Sequence, residues 1–161
     1  MASIYGFSIK NHKTFQGRDW QGDQGDICYN GKKVGWYNND GNGGCADIDF
    51  FLAGEKRAEY EQLLKEATEK YYQANPMTGQ FKDLTPDGEL FFGELLTLSD
   101  KEKQYKSMNK KGYPLTLMYS TDDFTESIVG FKTKEASEKY ITEKAIKGGK
   151  VYESLADFII Q

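Results

Sequence analysis

The clearest structural signal in the sequence is the segment ICYNGKKVGWY at residues 27–37. Asn30-Gly31 stands near its centre, between two short runs rich in aromatic and aliphatic residues. Asn-Gly is the preferred pair for a type I′ turn, because both central positions of that turn need a positive φ angle. The segment therefore predicts an antiparallel hairpin with strands at residues 27–29 and 34–37.

Alternating patterns on both sides extend this hairpin into a sheet. Apolar residues alternate with small or polar ones over residues 5–9 and again over residues 46–52. A period of two is typical of a strand with one buried face. We therefore expect residues 1–54 to form a four-stranded antiparallel meander that is polar on one face.

The next part of the chain, residues 55–112, carries apolar residues at helical spacing. Thr85-Pro86 resembles a helix N-cap followed by proline at the first helical position. The segment Ser99-Asp100-Lys101-Glu102 matches a capping box, which predicts a second helix start or a kink. Gly112 is expected to end the helical region.

The last part, residues 113–161, returns to a strand and helix pattern. We expect strands at 115–119 and 128–131 with a turn at Thr121-Asp122-Asp123 between them, followed by a helix from Thr133 to Gly148-Gly149. A last strand is expected at 151–152, and the segment at 155–160 fits strand or helix equally. The sequence thus predicts the α+β class, with an N-terminal antiparallel β-meander (1–54), a helical middle (55–112) and a C-terminal strand–helix unit (113–161). We expect these three segments to form one compact domain.

Composition excludes several functional classes. The chain has 161 residues and a net charge of −4, which argues against strong direct nucleic-acid binding because that needs a basic face. No apolar run approaches the roughly 18–20 residues that span a bilayer. The N-terminus lacks the basic and apolar segments of a signal peptide. In this context Cys28 and Cys45 are expected to be free thiols.

Catalysis based on histidine or zinc has little support in the sequence. His12 is the only histidine, and it lies in a polar stretch at a predicted strand end. We expect it to be exposed and without a partner that would orient its ring, so that His12→Ala leaves function nearly intact. There is no C-x-x-C pair to begin a zinc site, and no cofactor is expected.

Two Gly- and Asp-rich segments, residues 17–26 and 38–44, are predicted to be loops at the same end of the sheet. The Asn30-Gly31 turn closes the opposite end of the hairpin that joins them. Trp20 fits either a lid over the core edge or an interface anchor. The predicted partner-binding residues are Arg18, Asp19, Trp20, Asp23, Asp26 and Asp40.

Two places in the sequence carry oxygen ligands that a metal ion could use, but no metal site is predicted. Asn38, Asp40, Asn42 and Gly43 match part of an EF-hand calcium loop that would end at Asp49, but strands and not helices flank it. A wide connection between strands explains the same residues. Asp47 and Asp49 lie on one face of a predicted strand, where they fit either Mg²⁺-dependent nuclease chemistry or a solvated face.

Three segments resemble a known group of proteins: IKNHKTFQGR at 9–18, YNGKKVG at 29–35 and DGNGG at 40–44. Together they are similar to the N-terminal module of small proteins from phages, plasmids and integrative elements of Gram-positive bacteria. Some proteins of that kind are anti-CRISPR inhibitors of type II Cas9. The resemblance covers about the first third of the chain. It implies a protein in the cytoplasm of a bacterial host that blocks a nuclease complex.

Three functions are therefore consistent with the sequence. The first is an anti-defence inhibitor that binds a Cas9 complex, where acidic loops compete with nucleic acid for basic side chains. The second is a Mg²⁺-dependent nuclease that uses Asp47 and Asp49. The third is an adaptor protein with no role in defence.

Overall fold

The computed structural model describes residues 1–121 and 125–161, apart from the side chain of Gln80. These residues have the expected α+β fold, in which N-terminal antiparallel strands are followed by a helical middle and a C-terminal strand–helix region. The strands are β1 (Ser3–Ile4), β2 (Phe7–Gln16), β3 (Gln21–Tyr29), β4 (Lys32–Asn39), β5 (Asp47–Phe50), β6 (Leu115–Ser120), β7 (Glu126–Phe131), β8 (Lys150–Tyr152) and β9 (Ile159–Ile160). The helices are α1 (Glu55–Ala74), α2 (Gly88–Lys110) and α3 (Lys134–Glu143), with short 3₁₀ helices at Gly79–Phe81 and Leu155–Phe158.

The N-terminal sheet has the strand order β5-β4-β3-β2-β1-β9 within the described part of the chain. The predicted Asn-Gly turn is confirmed, since Asn30 and Gly31 have φ angles of 47° and 81°. The predicted meander is also confirmed as β2 to β5. A second turn of the same kind was missed: Tyr5 and Gly6 have φ angles of 46° and 85°, and they separate β1 from β2.

One aromatic core holds α2 against this sheet. Phe7 on β2 and Phe91 and Phe92 on α2 are all completely buried. The Phe7 ring meets the two helical rings nearly edge to face, with centroids 5.8 and 6.2 Å apart. Such pairs add to the burial energy of the rings themselves. The sheet therefore has a rigid support on the face that carries Phe7.

The contacts divide the chain into two compact units. One unit contains residues 2–99 and 160–161, and the other contains Met1 and residues 100–159. The second unit includes the sheet β7-β6-β8, and its Tyr152 ring stacks on Phe158 at 4.6 Å. The division falls inside α2, whereas the predicted boundaries at 54 and 112 follow changes in element type. The three-segment organisation as a single compact domain remains a prediction.

The second helix start expected at Ser99 is wrong, whereas the alternative of a kink stays a prediction. Helix α2 continues without interruption from Gly88 to Lys110. Ser99 is buried, and its hydroxyl has no hydrogen-bond partner within the described residues, so it caps nothing. The predicted start at Thr85-Pro86 is also displaced. Asp87 is the residue that caps the helix, because its carboxylate accepts a hydrogen bond from the Leu90 amide at 2.9 Å.

The other helix limits are confirmed in part. Thr133 caps α3 as expected, since its hydroxyl accepts a hydrogen bond from the Ala136 amide at 3.3 Å. However, α3 ends at Glu143 and not at Gly148, because Ala145 already has a φ of 49°. The ambiguous segment 155–160 is a 3₁₀ turn followed by β9. Of the predicted turn at residues 121–123, only Thr121 lies within the described residues.

Among the described residues, no helix combines the length and the apolar character required to cross a membrane.

Candidate protein-binding site

Two loops of the N-terminal unit are bound to each other by backbone hydrogen bonds. The amides of Asp19 and Trp20 both donate to the carbonyl oxygen of Gly41, at 3.0 and 2.9 Å. The Arg18 amide donates to Oδ1 of Asn42 at 3.1 Å. We call residues 17–20, between β2 and β3, and residues 40–44, between β4 and β5, the paired loops. We expected residues 17–26 and 38–44 to meet at one end of the sheet, and residues 17–20 and 40–44 do so.

Glycine at positions 17 and 41 permits this close contact. A Cβ atom at Gly41 would lie 2.5 Å from the carbonyl oxygen of Trp20, and a Cβ at Gly17 would lie 2.7 Å from the Cα of Gly41. Real Cβ atoms do not approach backbone atoms so closely. Gly41 also has a φ of 68°, a backbone conformation that is unfavourable for residues with a Cβ atom. The backbone hydrogen bonds between the paired loops therefore require glycine at positions 17 and 41.

We expect Gly41→Ala to disrupt the paired loops. The matched control is Gly43→Ala, because Gly43 has a similar φ of 82° but the nearest atom to an added Cβ lies 3.8 Å away. Both variants carry the left-handed conformational cost of about 1–2 kcal/mol, and only Gly41→Ala adds the steric conflict. Thermal melting and hydrogen exchange of the Trp20 amide measure the difference. Equal effects from the two variants would show that the close approach is unimportant.

Trp20 projects from the paired loops into solvent. Its side chain is 70% exposed, so it is not a lid over the core. Arg18 and Asp19 beside it form a bidentate ion pair, with Nη2 of Arg18 2.8 Å from Oδ2 of Asp19. That hydrogen bond raises the pKa of the Arg18 guanidinium. Asp40 accepts two hydrogen bonds from Asn42, which fixes its loop and leaves the residue at the surface.

Asp23 and Asp26 do not belong to this loop, which corrects the prediction for residues 17–26. Both lie on β3, which begins at Gln21. Asp26 bonds to Lys33 at 2.6 Å and to Asn11 at 2.7 Å. These two hydrogen bonds lower the pKa of the Asp26 carboxyl, with Lys33 as the larger cause. Of the six predicted residues, four lie in the paired loops: Arg18, Asp19, Trp20 and Asp40.

The prediction that His12 is exposed and unpartnered is also wrong. Its side chain is only 6% exposed, and Nε2 lies 2.7 Å from Oδ1 of Asp23. The pairing of β2 with β3 shifts register between Lys10 and Lys13, and Asn11 in this bulge has a φ of 53°. A bulge inserts an extra residue and reverses the alternation of the side chains beyond it. His12 therefore occupies a buried position.

The residues considered for metal binding make other contacts. Asp49 lies 3.2 Å from Arg57 and accepts a hydrogen bond from the Trp36 indole at 3.3 Å, whereas Asp47 is exposed on the same strand. Asp40 uses both carboxylate oxygens within its own loop. Among residues 1–121 and 125–161, no group of three or more His, Cys, Asp or Glu side chains is placed to hold a metal ion.

Two residues near the paired loops were missed by the sequence reasoning. The Asn42 side chain accepts a hydrogen bond from the Arg18 backbone amide. The Arg18 guanidinium also donates to the Asn42 backbone carbonyl oxygen at 3.3 Å. Phe15 is partly exposed at the end of β2, and its ring lies over Gly22 on β3. A glycine opposite an aromatic residue in paired strands is the signal that would have indicated this contact. Both thiols, Cys28 and Cys45, are free as predicted.

Comparison with known proteins provides no relative for this chain. No protein-family model matches it, and neither does any curated protein or solved structure. A functional assignment therefore depends on the geometry of the site.

Proposed function

We propose that this chain is an inhibitor that acts by binding a protein partner through the paired loops. The observation that carries the proposal is Trp20, a large aromatic side chain that is 70% exposed on loops fixed by mutual hydrogen bonds. Exposed tryptophan contributes nothing to the core. It is among the residues that most often dominate the binding energy of an interface.

The rigidity of the loops supports the same proposal. Ordering a flexible loop on binding reduces affinity, whereas a loop that is already fixed avoids much of that loss. Gly41 accepts hydrogen bonds from both Asp19 and Trp20, so the backbone that carries the indole is fixed before any partner arrives. The paired loops thus present an anchor in a defined position.

Charge and resemblance together suggest the partner. Asp19, which is ion-paired with Arg18, and Asp40 lie on the paired loops with Trp20, and the whole chain carries a net charge of −4. Acidic groups suit a basic protein surface, and the nucleic-acid channel of an RNA-guided nuclease is basic. The first third of the sequence resembles the N-terminal module of small mobile-element proteins, some of which are anti-CRISPR inhibitors of type II Cas9. We therefore propose a type II Cas9 complex in a bacterial cytoplasm as the target, and block of its activity as the function.

The Mg²⁺-dependent nuclease and the adaptor protein remain as alternatives to the inhibitor. No observation favours the Mg²⁺-dependent nuclease, because Asp49 is ion-paired with Arg57 and, within residues 1–121 and 125–161, Asp47 and Asp49 belong to no cluster of three metal-ligating side chains. An adaptor would bind a partner without blocking it. Affinity capture with purified Cas9, its guide RNA and a labelled DNA target decides the matter. Capture together with loss of DNA cleavage supports the proposal, capture without loss of cleavage supports an adaptor, and absence of capture removes Cas9 as the target.

Charge reversal tests the electrostatic part of the proposal. We expect Asp19→Lys to slow association with the basic partner by about three- to tenfold at low salt, and less at high salt. Asp83→Lys is the matched control, because Asp83 is also exposed but lies outside the paired loops. Stopped-flow or surface-based kinetics measure both rates. If the two variants slow association equally, only net charge matters and the paired loops are not the contact surface.

A further inference from the structure

Two neighbouring pockets that share Tyr72 lie along α1 in the N-terminal unit, and no residue of the paired loops lines either of them; we call the two together the groove. Its first part has a volume of about 640 Å³ and lies between α1 and residues 85–88. Leu64, Thr68 and Tyr72 line it at intervals of four residues, which places them on one side of the helix. Leu64 and Thr68 are almost completely buried. The groove therefore has a well-packed floor.

The second pocket of the groove also has Tyr72 in its lining. The second part has a volume of about 500 Å³ and is lined by Tyr71, Tyr72 and the connection between α1 and α2. Phe81 and Leu84 on that connection line the groove and are each about half exposed. The two parts together extend from Glu61 to Asn75 along α1, a distance of roughly 21 Å at the helical rise per residue. Such a length exceeds what one small molecule needs.

The rim of the groove is acidic. Its charged lining residues are Glu61, Glu69, Asp87 and Glu94 against a single lysine, Lys65. Glu61 is paired with Arg57, Asp87 caps α2 and Glu94 accepts a hydrogen bond from the Tyr71 hydroxyl at 3.2 Å, so Glu69 is the carboxylate most available to a ligand. Burial, together with the negative charges of Glu94 and Asp87, raises the pKa of Tyr72 to about 12. The charged residues that line the groove are therefore mostly negative.

We propose that this groove binds a peptide segment of a partner protein that presents apolar side chains next to lysine or arginine. Apolar side chains fill the space over Leu64 and Tyr72, and a basic side chain reaches Glu69. An elongated groove with an apolar floor and charged edges is a common way to bind peptide segments. Nucleic acid does not fit, because its phosphates would face the carboxylates. The proposal is independent of the function proposed for the paired loops.

The test uses the intact chain and two labelled peptides of about 12 residues, which as helices span roughly 18 Å. One peptide contains leucine and lysine in an amphipathic order, and the other has glutamate in place of every lysine. Fluorescence polarisation measures affinity. Chemical-shift changes at the amides of Leu64 and Tyr72 locate the binding. Three single variants on α1 separate local charge from net charge: Glu69→Lys, Lys65→Glu and Glu59→Lys.

The expected result is specific to the groove. The lysine peptide binds and shifts the Leu64 and Tyr72 signals, Glu69→Lys weakens it about five- to tenfold, and Lys65→Glu strengthens it. Glu59→Lys makes the same charge change as Glu69→Lys at an exposed residue that does not line the groove, and leaves affinity nearly unchanged. The proposal would be overturned if the lysine peptide did not bind, if the glutamate peptide bound equally well, or if Glu59→Lys weakened binding as much as Glu69→Lys. Benzylamine binding as tightly as the lysine peptide would also overturn it, because it would indicate a small-molecule site.

Discussion

Trp20→Ala should weaken binding of the protein partner by at least about 30-fold, which corresponds to about 2 kcal/mol. The melting temperature should stay within about 1–2 °C of that of the unchanged chain, because truncation of an exposed side chain changes stability little. The indole is 70% exposed, and its backbone amide, not its ring, bonds to Gly41. Truncation thus removes the anchor and leaves the hydrogen bonds of the paired loops in place.

Phe51→Ala provides the control for Trp20→Ala. Phe51 is also a large exposed aromatic residue, at 55%, but it follows β5 and lies near Lys33 instead of in the paired loops. Isothermal titration with the captured partner and thermal melting should be carried out on both variants. A similar loss of affinity for Phe51→Ala would show that the binding surface is broader than the paired loops. A large fall in melting temperature for Trp20→Ala would show that the ring supports the fold.

The parts of the fold that the sequence predicted are those with local causes. A type I′ turn depends on two adjacent residues, so Asn30-Gly31 was sufficient to place the hairpin and, by alternation, its neighbours. The turn at Tyr5-Gly6 uses the same geometry with a less typical first residue, and it was missed. Helix α2 shows the limit of local signals. Ser99 matches a capping box, yet nothing there ends the hydrogen bonding of the helix, so the motif lies within it.

The candidate site was predicted only where loop composition determines it. The Asn30-Gly31 turn indicated that the two loops meet at the opposite end of the hairpin, and Gly17 and Gly41 permit their close contact. Asp23 and Asp26 were assigned to the same loop because Gly22 and Gly25 around them resemble loop residues. In the structure these glycines are strand residues, and Gly22 leaves room for the ring of Phe15 while Gly25 leaves room for Ile9. Side-chain volume on a neighbouring strand is a long-range property that one segment does not reveal.

His12 is the second residue whose replacement should have a large effect, and the effect should be on stability. The bulge at Asn11 places the imidazole in a buried position, where Nε2 lies 2.7 Å from Oδ1 of Asp23. His12→Ala removes this bond and leaves the Asp23 carboxylate, which is 25% exposed, with one fewer partner. We expect a loss of about 2–3 kcal/mol in the free energy of unfolding, because a hydrogen bond to a charged group is lost from a largely buried site. At 2–4 °C per kcal/mol, the melting temperature should fall by roughly 4–12 °C.

The stability of the His12–Asp23 pair is separable from binding at the paired loops. Thr14→Ala is the matched control, because Thr14 is an exposed residue on the same strand and should change the melting temperature little. A double-mutant cycle with His12→Ala and Asp23→Ala measures the coupling between the two side chains directly. Strong coupling together with unchanged affinity at low temperature would make the pair a structural support of β2 and β3. Activity reduced by more than about 100-fold in a folded His12→Ala variant would instead indicate a direct role of the imidazole, as would be expected of a catalytic acid or base. A folded variant with an unchanged melting temperature would show that the buried contact contributes nothing to stability.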